Sequence, residues 1–252
     1  MRINKYLAQC NIASRRKCDE LIAQGCVTVN GAVMTDYGYQ VDEARDSVCV
    51  NGRAVALSKK NYYYMLNKPK GIISAAYSKY GEPTVVELIK EASDRLYPVG
   101  RLDKDSEGLI FLTNDGDFAY CVTHPKFGHA KKYEAVVKGR IDSKKIDKLK
   151  KGLTLDGRRA VFNDVRLIGL KNDASILSVT IKEGRNRQIR RMCEMIGHPV
   201  VSLKRVEECG IPLGELKAGE YRSLSKNEIS KCKSAAMDSS IDRRQRGPNR
   251  KK

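Results

Sequence analysis

A chain of 252 residues can hold one large or two smaller domains, and at 41% hydrophobic and 31% charged it has the composition of a soluble protein. Its 48 lysines and arginines outnumber 30 acidic residues, for a net charge of +18; such an excess destabilises a compact fold unless a polyanion shares the surface. No apolar run approaches the length of a bilayer span, and Met1-Arg-Ile-Asn-Lys5 lacks the apolar core of a signal peptide, so a membrane is not the expected partner and nucleic acid is.

Cys10, Cys18, Cys26, Cys49, Cys121, Cys193, Cys209 and Cys232 include no C-x-x-C pair, and His124, His129 and His198 are not at ligand spacing. The expectation is a reducing cytoplasm, no disulfides and no structural metal. There is no phosphate-binding glycine loop and no dinucleotide motif. No cofactor is expected.

In chain order, Ile3, Leu7 and Cys10 fall at helical spacing, and Asn11-Ile12 breaks the pattern. Ser14 reads as the N-cap of a second helix over Arg15 to Gln24, with Leu21 and Ile22 facing inward and Gly25 as its stop. Val27-Thr-Val-Asn30-Gly31 is a strand with a hairpin turn, and Val48-Cys-Val-Asn51-Gly52 repeats the device. This pattern of Arg2 to Leu7, Ala13-Ser14-Arg15-Arg16 and Ile22 to Gly31 resembles the S4 RNA-binding domain, over residues 1–58. Arg15, Arg16 and Lys17 at a helix N-terminus would present side-chain charge and backbone N–H groups to phosphate together.

Residues 59–61 read as a polar linker, and a second domain is expected over residues 62–233. Tyr62 to Leu66 is a strand, followed by a turn at Asn67-Lys68-Pro69-Lys70-Gly71 that places two lysines to touch phosphate. Thr84 to Ile89 reads as a helix start behind Pro83. Then comes the most informative stretch. Gly100 permits an unusual backbone, Arg101, Asp103, Lys104 and Asp105 crowd behind it, and Leu109 to Thr113 is a buried strand closed by Asn114-Asp-Gly116. Charges of both signs against a buried strand suggest a site at a sheet edge.

Further on, Gly116 to Val122 is a helix and Lys131 to Val137 a strand. Lys144 to Lys151 has helical periodicity, with Ile146 and Leu149 inward and a solvated lysine face. Gly157 to Leu170 and Ile176 to Lys182 are strands. Asn186 reads as the cap of a helix that Gly197 ends, with Ile189, Met192, Cys193 and Ile196 as its apolar stripe. Arg187, Arg190 and Glu194 lie along one side of it, so one arginine can serve phosphate while another meets a carboxylate from the sheet. Val200 to Val206 and Leu216 to Leu224 read as strand, loop and turn. Residues 234–252 are dominated by arginine and lysine and read as a disordered tail, there for RNA affinity or for solubility alone.

Taken together, Asn67-Lys68-Pro69-x-Gly71, Gly100-Arg101-Leu102-Asp103-Lys-Asp105-Ser-x-Gly108-Leu-Ile-x-Leu112-Thr-Asn114, the strand around Tyr133, Asn186-Arg187-Gln188-Ile189-Arg190-Arg191-Met192 and Gly210-Ile-Pro-Leu-Gly214 resemble the RsuA/RluB/RluE/RluF family of pseudouridine synthases. The wording after Asp103 and the Ile-Pro-Leu-Gly ending are most similar to the RluF branch. The resemblance implies an α+β fold, with a small S4 module before a larger catalytic domain on a mixed, mainly antiparallel sheet flanked by helices. It implies that Asp103 is the catalytic aspartate, Tyr133 the tyrosine that contacts the target base, Arg190 the arginine that pairs with the aspartate, and Leu203 an apolar lining of the base pocket. Lys68, Lys70, Arg101, Arg187 and Arg191 are the expected RNA contacts of this domain. The implied partner is ribosomal RNA, of the large (23S) subunit, with tRNA as an additional substrate, and the chain is expected to act as a monomer. Two departures stand out: Ser106-Glu107 where many members have Thr-x, and Val206-Glu207-Glu208-Cys209 in place of a commonly more basic stretch.

Pseudouridine formation breaks the bond from ribose C1′ to N1 of uracil, turns the base and rejoins it through C5. A carboxylate can serve as nucleophile toward sugar or base, or as a base taking a ribose proton; the sequence leaves these open. An arginine partner would keep Asp103 ionised in a partly dry pocket. Extruding the uridine costs a few kcal/mol, of which stacking on Tyr133 would return about 1–3 kcal/mol. Two other readings compete. One is an S4-bearing assembly factor that only holds RNA. The other is a glycoside hydrolase or nuclease using acids 103, 105 and 107, which would want a second placed carboxylate or a metal.

Overall fold

The computed structural model describes residues 1–58 and 60–234; Lys59 of the linker and the expected tail beyond Ser234 lie outside the described residues. Two compact units emerge. One comprises Met1–Tyr62 with Ala92–Arg95 and Asn114–Gly116; the other holds Tyr63–Glu91, Leu96–Thr113 and the chain from Asp117 onward. No described helix is long and apolar enough to cross a membrane.

The first unit begins with α1 (Ile3–Gln9) and α2 (Arg15–Ala23). Ser14 caps α2 by accepting the Lys17 backbone N–H at 3.3 Å, and Gly25 follows its end in the left-handed region. Strands β1 (Val27–Val29), β2 (Ala32–Val33), β3 (Val48–Val50) and β4 (Arg53–Ala54) form an antiparallel sheet in the order β2-β1-β3-β4. Both hairpins turn on Asn-Gly with positive φ at each residue, the backbone that tight hairpins require. Ile3, Leu7, Ile22, Val27 and Val48 are buried together as this unit's core.

The second unit has eleven described strands, nine in one large sheet and two in a separate ribbon. In chain order they are β5 (Tyr63–Lys68), β6 (Tyr97–Val99), β7 (Glu107–Thr113), β8 (Lys131–Lys138), then the separate ribbon β9 (Leu153–Leu155) and β10 (Arg158–Ala160), then β11 (Asp164–Lys171), β12 (Ala174–Ile181), β13 (Val200–Glu208), β14 (Ile211–Pro212) and β15 (Tyr221–Ser223). The large sheet runs β11-β12-β8-β13-β7-β5-β15, with β14 beside β13 and β6 beside β7. Every pairing is antiparallel except β13 with β7, where Lys204 and Arg205 run alongside Glu107 and Gly108. The sheet is therefore mixed and mainly antiparallel, as expected. Helices α3 (Gly116–Thr123), α4 (Ser143–Lys151) and α5 (Gln188–Met195) flank it.

At the parallel junction the backbones nearly touch. Gly108 has φ +105°, and a Cβ placed there would meet the Arg205 carbonyl oxygen at 2.2 Å. Only glycine fits. Met65, Val99, Leu109, Phe111 and Phe118 pack into one core cluster with Ile211, Leu213 and Leu224.

Two local expectations need correction, and one further helix was not anticipated. Thr84 to Ile89 is a run of turns rather than a helix. Thr84 bridges Ile73, and Thr84 and Val85 are buried, so tertiary pairing prevails over a segment too short to nucleate a helix alone. The residue at the N-cap of α5 is Arg187, with φ +47°, rather than Asn186. Residues 226–234 are helical, with Ile229 and Cys232 on the core. That helix had a signal: Ser225-Lys-Asn-Glu228 is a capping box, in which Ser225 Oγ accepts the Glu228 N–H at 3.3 Å and Glu228 Oε2 accepts the Ser225 N–H at 2.8 Å.

Candidate active site

The loop between β6 and β7 carries Asp103, and several groups fix its shape. Gly100 opens it at φ +77°. The Ser106 N–H closes a turn on the Asp103 carbonyl at 3.0 Å, and the Gly71 N–H reaches the Lys104 carbonyl at 2.9 Å. Ser74 Oγ donates to the Leu102 carbonyl at 2.8 Å and accepts the Leu102 N–H at 3.0 Å. Leu102 is thereby turned inward while Arg101 stays exposed.

Lys68 belongs to this scaffold and not to the RNA surface where it was expected. It is fully buried, and its Nζ donates to the carbonyls of Ser106 at 2.7 Å and Pro69 at 3.0 Å. The strand carrying it is buried on both faces, so the side chain has no route to solvent. Burial lowers its pKa to about 8. Lys70, two residues on, is exposed and 4.0 Å from Glu107.

Asp103 sits at a cavity of about 350 Å³ lined by Tyr133 of β8, Leu203 and Arg205 of β13, Ile189 of α5 and Arg187 at its start. That volume lies within the range of small-molecule pockets. Tyr133 and Leu203 are buried, Asp103 partly exposed. Burial pushes the Tyr133 hydroxyl pKa upward, so at neutral pH it is a phenol and not a phenolate.

The expected pairing of Arg190 with Asp103 is not what the structure holds. Arg187 takes that place: its Nη1 is 3.6 Å from Asp103 Oδ2, while both Nη atoms bond the Asp105 carboxylate at 3.1 Å. Arg190 instead lies under the loop. Its Nη2 reaches the Asp105 carbonyl at 3.0 Å, Ser106 Oγ at 3.2 Å and Asp105 Oδ2 at 3.3 Å, and its Nη1 the Val200 carbonyl at 3.4 Å. The reason is position on the helix. Arg190 is one turn in and faces the sheet, whereas Arg187 caps the open end above the pocket. The Arg187 hydrogen bonds, helped by the Arg190 charge, hold Asp105 below the usual carboxylate range. Asp103 Oδ1 has no protein partner among the described residues.

Two pocket residues had escaped the sequence reading. Arg205 and Glu208 are both 1% exposed, with Arg205 Nη2 3.2 Å from Glu208 Oε2, out of line for a hydrogen bond but close as an ion pair. Arg205 Nε also donates to the Leu109 carbonyl at 2.6 Å, and its guanidinium lies against the Tyr133 hydroxyl, its cross-strand neighbour. Burial pushes the Glu208 carboxyl pKa up, and the Arg205 charge opposes this. Arg205 was legible in principle, because it is two residues from Leu203 and so on the same face of the strand. Glu208, three residues from Arg205, shares that side only because β13 shifts register between Arg205 and Glu207.

The other expected RNA contacts are scattered over the surface. Arg191 is bonded by both Nη atoms to Asp156, at 2.9 and 2.6 Å. In the first unit, Arg15 donates to Asn4 Oδ1 at 3.3 Å, Lys17 pairs with Glu20 at 2.6 Å, and Arg16 is exposed.

Comparison with known proteins gives the family. The RNA pseudouridylate synthase family matches residues 62–195, and the S4 domain residues 1–48. The ribosomal large subunit pseudouridine synthase B of Bacillus subtilis (strain 168) is 42% identical over 237 residues, covering 93% of this chain and 96% of that protein. The dual-specificity RNA pseudouridine synthase RluF of Salmonella typhi is 37% identical over 231 residues, covering 90% of this chain and 77% of that protein. A crystal structure of a pseudouridylate synthase superposes with a TM-score of 0.65 at 28% identity, over 92% of this chain and 99% of that one. The chain belongs to the RNA pseudouridine synthase family. Its relatives include both B-type and RluF-type enzymes.

Proposed function

We propose that this chain converts a specific uridine of large-subunit ribosomal RNA to pseudouridine, with Asp103 as the catalytic carboxylate. The observation that carries the reading is the open Asp103 Oδ1 beside a pocket whose buried wall is Tyr133 and Leu203, in a chain whose B. subtilis relative is named for the large ribosomal subunit. The target uridine leaves its stack and enters this pocket. Tyr133 stacks on the extruded base, and Leu203 excludes water around it. Arg187 holds Oδ2, leaving Oδ1 to face the C1′–N1 bond. After the bond breaks and C5 takes the place of N1, C5 loses a proton and N1 gains one, so atoms and charge balance without a further reactant. The Tyr133 hydroxyl, kept neutral by burial and lying beside Arg205, takes part in that transfer on this reading.

The S4 unit supplies affinity through phosphates, and the chain works as a monomer in the cytoplasm. Transfer RNA is a second substrate on this reading, since the Salmonella relative is named dual-specificity. Tritium release from RNA labelled at uridine C5 tests it. Purified protein should release tritium from 23S transcripts, and Asp103→Asn should release none. Equal release by Asp103→Asn would end the assignment, and labelled tRNA in a parallel reaction decides the second substrate.

A further inference from the structure

Residues 74–83 form a closed loop whose base and tip are both ordered. At the base, Ile73 bridges Thr84, the Ile73 N–H reaches the Pro83 carbonyl at 3.0 Å, and the Val85 N–H reaches the Ile73 carbonyl at 3.1 Å. At the tip, Ser78 Oγ accepts the N–H groups of Tyr80 at 3.2 Å and Glu82 at 3.0 Å. The loop is fastened to the Asp103 segment by Ser74 on Leu102 and by Glu82, which holds the Lys104 ammonium at 2.8 Å. Tyr80 is only two residues from Glu82, so its backbone lies within about 7 Å of the residue that grips Lys104.

This ordered tip carries two large rings in the open. Tyr77 is 77% exposed and Tyr80 89%, the highest values among the large exposed hydrophobics of the described residues. Single exposed apolar residues need no explanation. Two tyrosines flanking Ser78-Lys79, on a loop tied to the catalytic segment, do. Neither ring has an aromatic partner among the described residues. The chain as a whole carries +18, which favours a polyanion over an apolar protein surface as the occupant.

We infer that Tyr77 and Tyr80 form a stacking platform for unpaired RNA bases that flank the target uridine. The inference rests on the synthase reading and extends it to substrate shape. Extruding one base leaves its neighbours with bare faces, and an aromatic ring accepts such a face whatever the base. Lys79, between the two rings, is placed to meet the connecting phosphates. The substrate is therefore RNA that is single-stranded beside the target: a loop, bulge or unfolded segment.

The chain contains no tryptophan, so Tyr77→Trp and Tyr80→Trp each create a protein with a single reporter. The probes are a short oligouridylate and an RNA duplex of equal length, titrated at low salt into the full chain. Fluorescence of both variants should be quenched by oligouridylate and not by duplex. The double variant Tyr77→Ser/Tyr80→Ser should bind oligouridylate on the order of tenfold more weakly and the duplex as the parent does. Because both rings are exposed, its melting temperature should match the parent's, which separates lost stacking from lost fold. Oligouridylate leaving the reporters unmoved, duplex quenching them equally, or unaltered affinity in the double variant would each overturn the platform. Tritium release by the parent chain is measured alongside, so a failed synthase reading is distinguishable from a failed platform.

Discussion

A family resemblance singled out Asp103 and Tyr133, and the fold brings both to one cavity; the charges around them were not legible in the sequence. Arginines at 187 and 190 look alike in a motif, and only the fold separates the exposed one at the helix start from the buried one beneath the loop. They should fail differently. Arg190→Ala leaves the Ser106 hydroxyl and a loop carbonyl without their donor, at a cost of about 1–3 kcal/mol readable as a lowered melting temperature. Arg187→Ala should melt nearly as the parent but lose turnover. Its effect also has a pH sign. The Asp105 pKa is depressed in the fold, so the contribution from Arg187 is present above the ordinary carboxylate range and fades as pH falls through the folded value. Removing Arg187 should therefore raise the titration midpoint of Asp105, followed by carboxyl NMR. An unmoved midpoint would show that Arg187 does not hold Asp105 ionised. Deeper in the pocket, Glu208→Ala strands the buried Arg205 charge and should cost about 3–5 kcal/mol in denaturant unfolding.

Among elements, most regular ones were legible, the helix over 226–234 apart, and the irregular ones were not. Ser14 and Gly25 delimit α2, and two Asn-Gly pairs mark the hairpins, because each residue there solves a local backbone problem. The β13 register shift, the turns after Pro83 and the left-handed Arg187 are imposed by distant partners, which no local pattern encodes. The parallel junction shows how sharply such a constraint can act. Gly108→Ala puts a methyl into the Arg205 backbone, and it should cost at least 2–3 kcal/mol, roughly, through strain at positive φ and separation of β7 from β13. The C-terminal helix has a pH-dependent fastening. Arg222 bonds Glu228 through both Nη atoms, at 2.9 and 2.7 Å, and these bonds together with the Ser225 cap lower the Glu228 pKa from 4.5 to about 2. A depressed carboxylate stabilises above its unfolded pKa and loses that contribution as pH falls through its folded one. Hydrogen-exchange protection factors in residues 226–234, corrected for the intrinsic rate at each pH, should thus fall between about pH 4.5 and pH 2. In Glu228→Gln protection should already be lowered at neutral pH, with that pH step gone.

At the scale of the whole molecule, +18 is a statement about partners. RNA affinity should fall about tenfold for a fourfold rise in salt if only two or three phosphates are neutralised, and further with more contacts. A flat response would remove the electrostatic basis assigned to the S4 unit. The central claim, that Asp103 drives pseudouridine formation at a defined position in ribosomal RNA, is tested most directly by mapping pseudouridines in total RNA from cells lacking this chain, then restoring either the parent or Asp103→Asn. The account predicts that a site in 23S RNA is lost and that only the parent restores it. No change at any site, or restoration by Asp103→Asn, would contradict it and leave an RNA-binding assembly factor as the better description.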